Sequence, residues 1–275
     1  MNNRPDTTDT TLSEAARRVL LTANAEEKCS RSRQVAALWR SRKLNIIGSA
    51  PAPERPSRPD RPALLEPSAV PRRKINRGTA GRIALLHALS HIELNAVDLA
   101  WDIVVRFADT DLPHAFFDDW VGVADDEARH FTLLTSRLAD FDATYGDLPA
   151  HDGLWDAAIE TRHSLAARLA IVPLVLEARG LDVTPMMIGK LRDVEDDISA
   201  QILETIYQDE IGHVRAGKRW FSFECHRQGK EPEAHWQMLV ARHFRGSLKP
   251  PFNTEARHQA EFPEGWYANI SGTEA

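Results

Sequence analysis

The pattern glutamate-x-x-histidine sets a carboxylate and an imidazole one turn apart on the same helical face, where both can hold one metal ion. With 19 glutamates and 11 histidines in 275 residues, chance yields fewer than one such pair, yet the sequence carries four: Glu127/His130, Glu160/His163, Glu210/His213 and Glu255/His258. Two of them share more than the pattern. Asp126-Glu127-Ala128-Arg129-His130 and Asp209-Glu210-Ile211-Gly212-His213 both have aspartate directly before glutamate. Each also follows a solitary glutamate at nearly equal distance: Glu93 lies 34 residues before Glu127, and Glu177 lies 33 before Glu210.

Such spacings need long helices, and the apolar periodicity predicts them. One helix is expected from Thr79 to Phe107, closed by the breaker Asp109-Thr110-Asp111-Leu112-Pro113, and a second from His114 to Phe141. A third is expected from Leu154 to Arg179, with Gly180 just past its end, then a short helix capped by Thr184 with Pro185 in its first position. A fourth is expected from Asp196 to Arg227. Strand and hairpin signals are missing, so the fold class is all-α: an antiparallel four-helix bundle. Glu93 lies 14 residues before Phe107, about 21 Å at 1.5 Å per residue, and Glu127 lies similarly far into the return helix. The second pair is less tidy, because Glu177 falls close to Gly180.

The stripes that carry these groups are apolar. Glu93 shares its face with Leu86, Leu89, Val97, Ala100 and Val104, Glu127 with Trp120, Val123, Phe131 and Leu134, and Glu210 with Leu203, Ile206 and Val214. A carboxylate on a core stripe is costly unless it is paired or metal-bound, and four converging carboxylates call for cations. Glu93, Glu127, His130, Glu177, Glu210 and His213 are therefore the candidate ligands of two divalent ions; separate salt bridges are the plainer alternative. Glu160/His163 and Glu255/His258 are expected as surface pairs. His87 and His91, off the Glu93 face, are expected at the surface or behind the ligands. Tyr207, one turn before Glu210, is read as packing first, with a hydrogen bond or oxidation near the metals as alternatives. Trp101 and Trp220 are expected in the core.

One glutamate plus a Glu-x-x-His helix, supplied twice, resembles the ferritin-like di-iron carboxylate proteins, and DEARH is similar to the Asp-Glu-x-Arg-His form of that superfamily's oxygenases. More closely, HALSHIELNAVDLAWD, DDEARHF, LEARGLDVTP, DEIGHVRAGKRWF and PPFNTEAR, spread over Arg73 to Arg257, resemble the ferritin-like family DUF455. The resemblance implies a ferritin-like bundle with the six residues above as ligands. It also implies that Asp126 and Asp209 each hydrogen-bond a ligand histidine and fix its tautomer. It brings no established reaction.

The net charge of −6 is unevenly spread: Arg31 to Arg82 holds 13 basic against 3 acidic residues. Seven of the 16 prolines fall in SAPAPERPSRPDRPALLEPSAVPRR, which favours extended chain. The chain is thus expected to divide into an N-terminal helical segment (1–48, one helix from Ser13 to Lys43) and a Pro/Arg-rich extended linker (49–74). A bundle (75–228) and a C-terminal extension packed on it (229–275) follow. A composition of 43% hydrophobic and 27% charged residues is that of a globular chain. Two cysteines, Cys29 and Cys225, cannot build a disulfide framework or a cysteine zinc site. The absence of an apolar run of about 18–20 residues or of a signal pattern leads to the expectation of a cytoplasmic protein with no membrane span.

Carboxylates with two imidazoles suit two iron ions, with manganese as the substitute in one or both sites. The expected activity is an O2-dependent oxidoreductase, a hydroxylase or oxidase, using O2 or peroxide with a substrate and electron donor the sequence does not identify. The alternatives are a ferroxidase or peroxide-scavenging iron-handling protein, a tRNA-modifying hydroxylase, and a metal-free scaffold. The basic stretch holds a single aromatic, Trp39, a poor platform for nucleic acid, so the arm is expected to dock on its own bundle. A homo-oligomer is left open.

Overall fold

The computed structural model describes residues 11–70 and 78–270. Among them the only regular elements are helices: α1 (Leu12–Leu20), α2 (Ala25–Arg40), α3 (Thr79–Arg106), α4 (His114–Ala139), α5 (Gly153–Glu160), α6 (Leu165–Ile171), α7 (Ala178–Asp193), α8 (Asp197–Arg227), α9 (Pro232–His243), α10 (Thr254–Gln259) and α11 (Glu264–Tyr267), with short 3₁₀ turns. The protein is all-α. The outer ends of the first and last expected segments, and residues 71–77, the end of the expected linker and the start of the expected bundle, lie outside the described residues.

Helices α3 and α4 form one long hairpin, with bounds within two residues of those expected. The expected third helix is corrected. Its span breaks at Thr161, restarts where the Ser164 hydroxyl accepts from the Ala167 amide at 3.3 Å, and widens into a π-helical segment over Val172–Glu177. Pro173 supplies the reason, since its missing N–H cannot close the α-helical ladder there. Gly180, Thr184 and Pro185 then lie inside α7 rather than at helix ends, and no short helix intervenes before α8. Pro185 leaves the Leu181 carbonyl without its helical donor, and the Asn253 amide nitrogen donates to it at 3.1 Å. The segment α6–π–α7 is thus one kinked limb of a second hairpin with α8, whose start is capped by Asp196 through the Ser199 amide at 3.1 Å. The two hairpins pack through α4 against α8.

The expected single N-terminal helix is two. The chain turns at Leu21–Asn24, and the Asn24 side chain caps α2 by accepting from the Glu27 amide at 2.9 Å. The extended arm that follows lies along α3 and the loop before α5. Arg58 donates to Asp98 at 3.2 Å and Asp152 at 2.7 Å, Arg61 donates to the Gly146 carbonyl at 3.2 Å, and Arg55 also pairs with Asp152. Asp98 is completely buried and is also held by the buried Lys28 ammonium.

His87 and His91 are not at the surface, which corrects the sequence reading. Both are buried under the same loop: His87 Nε2 accepts from the Gly146 amide at 2.9 Å, while His91 sits 2.9 Å from the Tyr145 hydroxyl and 3.0 Å from the His151 carbonyl. Burial pushes the His91 imidazole down to about 4, so it serves as a neutral loop anchor. Trp101 and Trp220 are in the core, as read. Helix α3 is the one described helix long and apolar enough to cross a bilayer, and 78% of that apolar window is buried inside the protein. C-terminal to the hairpins, α9 packs on α6 and α8, and buried Arg257 of α10 bonds Asp182 at 2.8 Å beneath the rings of Phe252, Phe262 and Tyr267.

Candidate metal centre

Long apolar stripes on α3, α4 and α8 force their few inward carboxylates together. Glu93 comes from the middle of α3, Glu127 and His130 from α4, Glu210 and His213 from α8, and Glu177 from the last position of the π segment. Glu93, Glu127, His130 and His213 are each at most 4% exposed, whereas Glu177 and Glu210 are partly open to solvent.

Glu127 is the hub. His130 Nδ1 stands 3.3 Å from Glu127 Oε2 and 3.2 Å from Glu93 Oε2, while His213 Nδ1 stands 3.1 Å from Glu127 Oε1 and 3.6 Å from Glu210 Oε2. One carboxylate thus offers an oxygen to each imidazole. Ligand atoms of Glu93, Glu127, His130 and Glu210 all fall within 4.8 Å of one another. Glu177 lies within the electrostatic reach of Glu210, Glu127 and His213 but is not among the four residues whose ligand atoms converge.

Both imidazoles present Nδ1 inward because Nε2 is engaged behind, and the engagement crosses between helices. His130 Nε2 donates to Asp209 of α8 at 3.0 Å, and His213 Nε2 is directed at Asp126 of α4 at 3.5 Å. Arg129 ties the two aspartates together, donating to Asp209 at 2.6 Å and Asp126 at 3.2 Å. Charge follows geometry. Burial, then the Glu127 charge, pushes Glu93 well above the usual carboxylate range. Burial with Glu210 and Glu127 does the same to Glu177, and burial with Glu127 raises Glu210. At Glu127 burial is outweighed by the His213 charge and the surrounding hydrogen bonds, which hold its carboxyl below the usual range. Burial disfavours charge on His130 and His213, yet the facing carboxylates raise both.

The donor set fits a metal by a direct test. Among the described residues, the buried carboxylate or imidazole atoms with no hydrogen-bond partner are Glu127 Oε1, Glu177 Oε2, Glu210 Oε2, His213 Nδ1 and, far from these in sequence, His243 Nδ1. Buried polar atoms are almost always satisfied; of these four, Glu127 Oε1 and His213 Nδ1 face each other at 3.1 Å, and the cluster they form could hold a cation. Oxygen donors with two imidazoles suit a divalent transition ion.

The remaining sequence candidates lie elsewhere. Glu160 ends α5 and His163 sits in the next turn, both exposed; Glu255 and His258 are exposed on α10. The Tyr207 hydroxyl accepts from the Asn253 amide at 2.8 Å, so it makes a hydrogen bond with the C-terminal segment. Sequence reasoning missed the bridging part of Arg129, although the residue stands inside DEARH; its two acidic partners become visible only once α4 and α8 are known to touch. It also missed Asn253, for which no local signal exists.

An all-helical chain enclosing a carboxylate–imidazole cluster able to hold a metal ion is the class of protein that fold and site define. The family model described as protein of unknown function, DUF455, matches residues 21–268, and the chain belongs to that family. It is also 37% identical over 258 residues to a Haemophilus influenzae protein designated "Uncharacterized protein", covering 89% of this chain and 88% of that one. No solved structure matches the chain.

Proposed function

We propose that the chain is a ferritin-like di-iron carboxylate protein acting as an O2-dependent oxidoreductase, a hydroxylase or oxidase. The observation that carries this reading is the buried Glu93, Glu127, His130 and Glu210 cluster, with His213 against Glu127 and Glu210 and with four ligand atoms that make no hydrogen bond. The two-hairpin arrangement, each hairpin supplying one glutamate and one Glu-x-x-His, supports the bundle assignment. His130 with Glu93 would hold one ion, His213 with Glu210 and Glu177 the other, and Glu127 would reach both. Two ferrous ions in such a site supply two electrons to O2.

The chain's own residues prepare the site for that task. Asp209 and Asp126 engage each Nε2, so each Nδ1 is turned toward the carboxylates of the cluster, where it would bind an ion. Arg129 offsets the charge of both aspartates and holds them at the α4–α8 contact. The apolar walls exclude water from Glu93 and Glu127, leaving approach on the side of Glu177 and Glu210. The test is oxygen uptake by the anaerobically iron-loaded, reduced protein. Rapid uptake, abolished by Glu127→Ala, is expected; no uptake by fully loaded protein would refute the oxidoreductase reading.

A further inference from the structure

We propose that Glu160, His163 and His243 form a second, mononuclear site for a zinc-type divalent cation, tying α9 to the α5–α6 turn. Glu160/His163 is a further Glu-x-x-His pair, left at the surface by the sequence pattern and remote from the Glu127 cluster. The structure adds a third donor that spacing could not reveal. His243, the last residue of α9, brings its ring centroid to 5.5 Å from that of His163, with 49° between the planes. Its Nδ1 stands 3.5 Å from Glu160 Oε1. The three residues line one cavity of about 500 Å³ with Ile159, Arg162 and Arg242.

Three features point to an ion rather than a plain contact. The first is that His243 Nδ1 is the one orphaned buried carboxylate or imidazole atom, among the described residues, outside the Glu127 cluster. Its side chain is 5% exposed, so water does not serve it freely. The second is distance. At 3.5 Å the Nδ1–Oε1 separation exceeds a good hydrogen bond, but two donors each about 2.0–2.1 Å from a tetrahedral ion stand about 3.3–3.5 Å apart. Two imidazoles on such an ion place their centroids roughly 5–5.5 Å apart, matching His163 and His243. The third is donor type: two imidazoles and one carboxylate form a three-ligand zinc set with a fourth position left open. Arg162 and Arg242 line the same cavity, so that position suits an anionic or hydroxide ligand.

The experiment is zinc and cobalt binding to metal-stripped full-length protein by equilibrium dialysis, comparing wild type with His163→Gln, Glu160→Gln and His243→Asn. The first two change exposed side chains and keep the test valid where His243→Asn perturbs folding. Each variant is expected to bind one zinc fewer per chain and to lose the intense visible absorption of tetrahedral cobalt. Zinc should also raise the melting temperature of a Glu127→Ala/Glu210→Ala chain, with the rise abolished by adding His163→Gln. Equal zinc stoichiometry and identical cobalt spectra in wild type, His163→Gln and Glu160→Gln would overturn the proposal.

Discussion

Each imidazole of the Glu127 cluster is braced by an aspartate from the opposite helix, and removing a brace has a measurable consequence. Asp209→Ala frees His130 Nε2 and leaves Arg129 with Asp126 alone, while Asp209 itself is part-exposed, so the helix survives. Metal affinity is expected to fall by roughly 10–100-fold in a chelator competition, with little change in helicity. The carboxylates make a second residue-scale prediction. Glu93, Glu177 and Glu210 have folded values raised above their ordinary 4.5 by burial and mutual repulsion. Their stabilising contribution is therefore complete below that value and lost as pH rises through the raised ones. His130 and His213, also raised, act in the same direction. These five groups should lower the melting temperature of the metal-free protein as pH increases from mildly acid to neutral, against the opposite trend of His91, whose lowered imidazole gains stability as pH rises from about 4. Glu177→Gln, which cannot ionise, should make the net slope less negative. A parallel slope in the variant would contradict the electrostatic account. That Glu93, Glu127, His130 and Glu210 could converge was legible beforehand because helical periodicity is local arithmetic. The crossed aspartate–histidine contacts and the role of Arg129 were not, because they depend on which helices adjoin.

The element that sets Glu177 is the π segment, and its fit against α8 rests on Gly217. A Cβ at Gly217 would stand 2.4 Å from Pro173 Cβ and 2.5 Å from its Cγ, inside a pyrrolidine ring that cannot rotate away. Alanine gains about 1 kcal/mol of helix propensity but loses about 2–3 kcal/mol to overpacking, so the clash wins. Gly217→Ala should therefore lower the melting temperature and weaken metal binding through Glu177. Gly212→Ala on the same helix meets nothing within 4 Å and should stabilise by about 1 kcal/mol. Both are checked by denaturant unfolding of the metal-free chain; destabilisation of equal size would refute the packing argument. Helices α3, α4 and α8 could be read from sequence because apolar stripes mark them and the breaker over 109–113 divides the first two. The third limb could not: Gly180, Thr184 and Pro185 read as helix ends, but Asn253, 72 residues beyond Leu181, supplies the missing donor that lets α7 continue.

At the scale of the whole molecule, the proline-rich arm is a strap rather than a loose linker. Arg58, 14% exposed, joins Asp98 of α3 to Asp152 before α5, and Lys28 of α2 closes the network on Asp98. Breaking a largely buried pair leaves charges behind, so Arg58→Ala should cost about 2–4 kcal/mol and expose residues 49–66 to limited proteolysis. Arg55→Ala, at a half-exposed guanidinium, should cost less than about 1 kcal/mol. The basic excess and the prolines made an extended, charged arm legible; the acidic partners on α3 and the 142–152 loop belong to the tertiary fold. The same limit hid the join between α1 and α2, where Asn24 serves as a cap within an otherwise helical run.

The central claim is that the Glu127 cluster holds two metal ions. It is tested most directly by metal content per chain after iron-supplemented expression, for wild type beside Glu127→Ala and Glu210→Ala. The cluster geometry predicts about two irons in addition to any zinc, with iron lost in both variants while the fold is retained. Little iron in wild type, or iron unchanged by either substitution, would contradict it and make the buried glutamates structural.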